Sequence, residues 1–235
     1  MPYPDPDAKR FGVVVPSTNT VFECDLHGFH VASVSHHVAR IETPDVEINS
    51  DAAFERLIEQ SQVAMEEAVD RLVAIRPDRL IFGTSAHSIW NGRAGCQAMR
   101  EAFAARAGCP VTLGADACID ALNAVGARSI AMLTPYASIA DTRAKHFFEE
   151  SGFAVPRIMS MNCATPTQIA AVTSEAMLAT VDRLDGDDVD VILQFGTNLP
   201  FARLADTAQQ RRGKPVIAVN AAIYRHALRE SGLEA

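Results

Sequence analysis

Long apolar runs, clustered basic residues and paired cysteines are all missing from this 235-residue chain. No stretch approaches the roughly 20 apolar residues that a membrane-spanning helix needs. Lysine and arginine total 21 against 29 acidic residues, a formal charge of −8. That balance argues against a nucleic-acid partner, because phosphate contacts need grouped Lys and Arg. Arg211-Arg212 is the one adjacent basic pair besides Lys9-Arg10, so a polybasic membrane patch is absent too. The opening MPYPDPDAKR has neither the apolar core of a signal peptide nor the character of a transit peptide, and a cytoplasmic protein is expected. The five cysteines, at 24, 96, 109, 118 and 163, are odd in number and never spaced CxxC. They read as reduced thiols rather than a disulfide framework. HGFH at 27–30 has metal-like spacing, but no other ligand cluster accompanies it, and no metal is expected. Neither a glycine-lysine phosphate loop nor GxGxxG is present, so no nucleotide cofactor is expected either.

What the chain does contain is alternation. Aliphatic runs at 10–15, 30–40, 79–82, 111–114, 129–133, 154–159, 189–195 and 216–219 predict strands. Their continuous hydrophobicity suits parallel strands covered on both faces. Helical periodicity marks 51–75, 94–106, 115–125, 138–151, 168–184 and 220–231. In the first of these, Phe54, Leu57, Ile58, Val63, Ala64, Ala68 and Leu72 share a face, with Asp51 as the expected cap. The expectation is an α/β fold with right-handed crossovers.

The chain also echoes itself. IFGTS at 81–85 returns as QFGTN at 194–198, with Gly83 and Gly196 113 residues apart. PVTLGADACIDAL at 110–122 is echoed by PVIAVNAAIYRHAL at 215–228, and FGVVVPSTN at 11–19, more weakly, by SIAMLTPYAS at 129–138. Three strand-to-loop junctions repeated in one order predict two similar α/β halves. Residues 9–114 with 215–235 are expected to form one, and 115–214 the other. Ligands of open parallel sheets sit at the carboxyl ends of strands, which places loops 16–20, 83–87, 134–138 and 196–200 around one cleft between the halves. Glycine there lets backbone approach a ligand closely. Thr and Ser hydroxyls with free amides suit a carboxylate or an enolate-like oxygen pair.

Within these loops Pro16, Ser17, Asn19, Gly83, Gly196, Thr197 and Asn198 are the expected binding groups, and Thr84, Ser85 and Tyr136 the expected donors in the chemistry. Cys24, placed early in a helix, and His87 are candidates for proton exchange. Glu23 and Cys163, the latter beside Asn162, are weighed with them. Cys96, Cys109 and Cys118 read as packing residues. Phe82, Ile89, Trp90, Phe195 and Leu199 are the expected apolar walls.

At these motifs the chain resembles the aspartate/glutamate racemase superfamily, and within it the branch holding arylmalonate decarboxylase and maleate cis-trans isomerase. The likeness runs from FGVVVPSTNT to KPVIAVNAAIYRHAL. It implies two pseudosymmetric Rossmann-like (flavodoxin-like) domains with the site between them. It also implies that Asn19 and Asn162 bind substrate carboxylates, and that Thr84, Ser85 and Tyr136 form a dioxyanion hole. Racemases of this kind carry a cysteine at each of the two equivalent strand ends; here those posts are Gly83 and Gly196. Two-thiol racemisation is therefore not expected. The first expectation is a cofactor-independent decarboxylase or related lyase acting on a small (di)carboxylic acid through an enediolate. The alternatives are a maleate-isomerase-like enzyme with a displaced cysteine, or a carboxylate-binding protein without catalysis. Self-association is left open.

Overall fold

The computed structural model describes residues 7–48, 50–136 and 138–234. Its first sheet contains β1 (Lys9–Pro16), β2 (Val34–Ile41), β3 (Arg79–Phe82) and β4 (Val111–Thr112) in the order β2-β1-β3-β4. The second contains β5 (Ser129–Thr134), β6 (Ala154–Ser160), β7 (Val191–Gln194) and β8 (Val216–Ala218) in the order β6-β5-β7-β8. Every pairing is parallel, and β3 and β7 are buried along their whole length. The same strand order in both sheets is the architectural form of the repeated junctions.

The helices are α1 (Phe22–Gly28), α2 (Asp51–Val73), α3 (Ala86–Ile89), α4 (Gly92–Ala107), α5 (Gly114–Ala124), α6 (Ser138–Glu150), α7 (Ser174–Leu184), α8 (Ala205–Arg212) and α9 (Val219–Arg229). Ser50, not Asp51, caps α2, its hydroxyl accepting from Ala53 N at 3.3 Å. Asp51 instead accepts Ile139 N from α6. The buried face of α2 runs through Phe54, Leu57, Ile58, Ser61, Met65, Ala68, Val69 and Leu72, while Val63 is 67% exposed. The expected helix 168–184 is divided. A 3-10 turn at Thr167–Ala171 precedes α7, which begins anew where the Thr173 hydroxyl accepts Ala176 N. The expected strand 30–40 starts only at Val34, after a turn.

One boundary moves. The strand at 216–218 was expected with residues 9–114, yet it pairs with β7 in the second sheet. The helix after it, α9, packs against β3 and β4 of the first sheet, while α5, which follows β4, packs against α9 and β8. Each sheet thus sends its last helix across to the other. The buried Arg79 guanidinium fixes that exchange at one end, donating to Thr112 Oγ1, Ser231 Oγ and the Glu230 carbonyl. None of the described helices is long and apolar enough to cross a membrane.

Candidate active site

The carboxyl ends of β1, β3, β5 and β7 meet around a cavity of about 90 Å³, lined by Pro16, Thr18, Asn19, Thr84, Ser85, Pro135, Tyr136, Gly196, Thr197 and Asn198, among others. Hydrogen bonds across the halves hold these loops together. Thr197 Oγ1 donates to the Gly83 carbonyl at 2.8 Å. Asn19 Nδ2 reaches the same carbonyl at 3.4 Å and Thr197 Oγ1 at 3.3 Å, while its Oδ1 accepts Val21 N and Phe22 N and so starts α1. Asn198 Oδ1 accepts Thr20 N, and its Nδ2 donates to the Thr18 and Pro166 carbonyls. Behind the loop, Arg40 donates to the Asn19 carbonyl at 2.8 Å and pairs with Glu23, which accounts for that carboxylate.

The two Gly-Thr copies therefore do different work. Thr197 is tied by its hydroxyl to Gly83, and its N–H donates to Ser85 Oγ at 3.3 Å. The Thr84 hydroxyl, 113 residues earlier, is buried and has no partner. An unpaired buried hydroxyl costs about 1–3 kcal/mol, so its retention in the cavity wall points to a ligand. Beside it, Ser85 and Tyr136 share a hydrogen bond. Only one of their two hydroxyl protons can lie between the oxygens, and Ser85 already accepts the Thr197 amide, so one O–H remains for a ligand whichever residue donates.

Gly83 and Gly196 are small for a steric reason. A Cβ on Gly83 would fall 2.7 Å from Phe22 Cδ1, and one on Gly196 would fall 2.6 Å from Pro135 Cδ. Gly83 N–H is bound to the Val14 carbonyl at 2.8 Å, so this glycine admits a neighbouring ring rather than a ligand to its amide. The space where a side chain at either post would begin is filled.

Several expected site residues lie elsewhere. Cys24 is exposed and outside the cavity lining. Ser17 is exposed and exchanges hydrogen bonds with the backbone of Thr43. Asn162 is exposed, with a left-handed φ of 48°. Cys163 is buried outside the lining, and burial pushes its thiol up to about 11. The expected walls Phe82, Ile89, Trp90, Phe195 and Leu199 are buried in the core behind the loops. The cavity's apolar surface comes instead from Ile48, Phe54, Leu57, Ile58 and Ile169, chiefly the α2 face. Ser61, a polar residue on that apolar stripe, was the available signal.

Ser61 leads to His87. Ser61 Oγ lies 2.8 Å from the Ile58 carbonyl and 2.5 Å from His87 Nε2, so its hydroxyl bridges the helix backbone and the imidazole. Burial pushes His87 down to about 4, making it neutral at physiological pH. It also lines a second groove, of about 520 Å³, between α2 and α4. Burial raises the Tyr136 phenol above its ordinary range, against the Ser85 hydrogen bond, and keeps it protonated. None of the described residues lining the cavity is Cys, Lys, Arg, Asp or Glu.

Two facing parallel halves, with hydroxyl donors gathered at their strand ends, define a two-lobed α/β protein. The chain belongs to the arylmalonate decarboxylase family, whose model matches residues 48–235. It is 26% identical to maleate isomerase of Alcaligenes faecalis, covering 96% of this chain and 92% of that one. Among solved structures it is similar to Nocardia farcinica maleate cis-trans isomerase bound to TRIS, with a TM-score of 0.87 at 23% identity, covering 96% and 93% of the two chains. It is likewise similar to arylmalonate decarboxylase, with a TM-score of 0.78 at 19% identity, covering 96% and 94%. The protein is thus an enzyme of this family.

Two outcomes follow from these side chains. Thr84→Val removes an unpaired hydroxyl and should leave the empty protein unchanged or about 1 kcal/mol more stable, a rise of up to roughly 2–4 °C in Tm. Its affinity for a small carboxylate should fall about tenfold or more, one charge-assisted hydrogen bond being lost. Thermal melts beside calorimetric titrations with malonate check both. Separately, burial raises Asp141 from 3.8 to about 7, opposed by the Thr134 hydroxyl that donates to it at 2.5 Å. Between those values the folded chain holds a proton that the unfolded chain has released, so stability falls as pH rises through that window. Asp141→Asn, which keeps the acceptor oxygen, should flatten that decline in Tm measured from pH 4 to pH 8.

Proposed function

We propose that this enzyme is a cofactor-independent lyase that decarboxylates a small dicarboxylic acid through an enediolate. The reading is carried by the unpartnered Thr84 hydroxyl beside the Ser85–Tyr136 pair, in a cavity whose described lining has no thiol and no charged side chain. One carboxylate of the substrate takes the Thr84 O–H and the spare O–H of the pair, one donor to each oxygen. The group to be lost faces Ile48, Phe54, Leu57, Ile58 and Ile169, where no cation stabilises its charge. As the carbon–carbon bond breaks and carbon dioxide leaves, its electrons pass into the retained carboxylate, and negative charge grows on the two oxygens that the donors already address. A proton then returns to the α-carbon from water or from the Tyr136 phenol. Neutral His87, with Nε2 bound to Ser61, is a poor acid at this step.

The cavity size favours a small substrate, since an apolar cavity of about 150 Å³ is what admits benzene, and this one is smaller. The curated relatives, named maleate isomerases, favour a second reading, isomerisation of a small unsaturated diacid. The solved neighbours include a cysteine-to-serine mutant of the Nocardia farcinica isomerase with a covalently bound succinylcysteine intermediate. Here the posts at Gly83 and Gly196 hold no thiol, so that reading needs exposed Cys24 or buried Cys163 to enter the cavity.

The deciding experiment follows small mono- and dicarboxylic acids by NMR in heavy water, before and after alkylation of the accessible cysteines. The lyase reading expects a decarboxylated product with deuterium at the former α-carbon, and a rate that alkylation leaves unchanged. Geometric isomerisation abolished by alkylation would establish the isomerase instead. Binding without turnover or exchange of any acid would leave a carboxylate-binding protein.

A further inference from the structure

Behind the Gly196–Asn198 loop lies a buried polar contact that the proposed reaction does not use. Asn220, in the first turn of α9, is 2% exposed and lies outside the cavity lining. Its Nδ2 donates to Asp25 Oδ2 at 2.7 Å and to the Thr197 carbonyl at 3.0 Å. Asp25, on α1, is 7% exposed. A carbonyl can only accept, so the Asn220 amide is fixed with Nδ2 toward Thr197, and its own Oδ1 is left buried without a partner. An apolar residue here would leave the Asp25 carboxylate and the Thr197 carbonyl without this donor. What asparagine adds is a hold on one peptide.

That hold has a direction. The C=O of a trans peptide and the N–H that follows point opposite ways. Anchoring the Thr197 carbonyl on α9 turns the Asn198 N–H away from α9, and Asn198 is one of the residues lining the cavity. The rest of Thr197 is fixed as well, through its hydroxyl to Gly83 and its N–H to Ser85. Thr197 is therefore held at its N–H, side chain and carbonyl, the last by a residue from the helix that crosses between the halves.

We propose that Asn220 is a positioning residue for the reaction: it holds the Thr197 carbonyl so that the Asn198 N–H enters the cavity as a third donor to the substrate's oxygens, and Asp25 anchors its amide. The proposal rests on the reading of this cavity as a carboxylate site. It extends the donor set from two side-chain hydroxyls to a backbone amide whose aim is set from behind. Burial raises the Asp25 carboxyl, with the Asn220 hydrogen bond and the Arg203 charge opposing it.

The test uses the full, 15N-labelled chain titrated with malonate, succinate and maleate. In the unaltered protein the Asn198 backbone amide should shift together with those of Thr84 and Ser85 as an acid binds. In Asn220→Leu the Asn198 shift should disappear and Kd should rise about tenfold, while the Thr84 shift persists. Asp25→Asn, which keeps an acceptor for Asn220, should retain the Asn198 shift. An Asn198 amide that stays still while Thr84 and Ser85 move overturns the positioning role, even if Asn220→Leu does not fold. So does an Asn220→Leu protein that binds as tightly as the parent. If no resonance responds to any of the acids, the carboxylate site itself is wrong and this proposal falls with it.

Discussion

The hydrogen bond from the Thr197 hydroxyl to the Gly83 carbonyl joins the two halves at the carboxyl ends of their central strands, and the rest of the site is arranged around it. It brings together residues 114 apart in the chain and commits one copy of the repeated Gly-Thr to structure. Asn19 strengthens it from the β1 loop, and Asn198 binds the Thr18, Thr20 and Pro166 backbone beside it. Each such bond contributes only about 0.5–1.5 kcal/mol net, but together they fix where four loops meet. With the second threonine committed, the first is left with a free hydroxyl inside a closed wall. A pseudosymmetric frame thereby produces an asymmetric site.

That asymmetry determines what chemistry the cavity can support. Neutral O–H groups among apolar side chains stabilise negative charge that appears on two adjacent oxygens, without the strong ground-state grip of a lysine or an arginine. Burial works in the same sense on the surrounding groups, holding the Tyr136 phenol protonated and His87 uncharged. The glycines complete the picture. Where thiols would stand if the racemase pattern held, Phe22 and Pro135 occupy the space. A thiol at either post would need its neighbour to move.

Much of this was readable from the residues. Continuous aliphatic runs marked buried parallel strands, and the recurrence of Phe-Gly-Thr marked two halves with matching strand order, which the two sheets display. Thr84, Ser85, Tyr136, Asn19 and the Gly196–Asn198 loop fall on one cavity because each follows a strand whose carboxyl end faces the cleft. Less accessible was anything that depends on contact between the halves. Spacing alone cannot reveal that Thr197 is tied while Thr84 is free, or that Asn19 and Asn198 use their amides to hold loops. The walls were misplaced because the apolar residues next to the motifs, such as Phe82 and Phe195, are buried in the core, whereas α2 supplies most of the cavity's apolar surface. The placement of β8 was missed because its helix, α9, belongs with the first sheet while the strand itself pairs in the second.

The central claim, that one threonine builds the site and the other binds the ligand, is tested most directly by a crystal structure with malonate bound. The account predicts one carboxylate with its oxygens on Thr84 Oγ1 and on the Ser85–Tyr136 pair, and the Thr197–Gly83 bond intact. Malonate held by the Thr197 or Asn198 side chains with Thr84 untouched, or seated in the groove between α2 and α4, would contradict it.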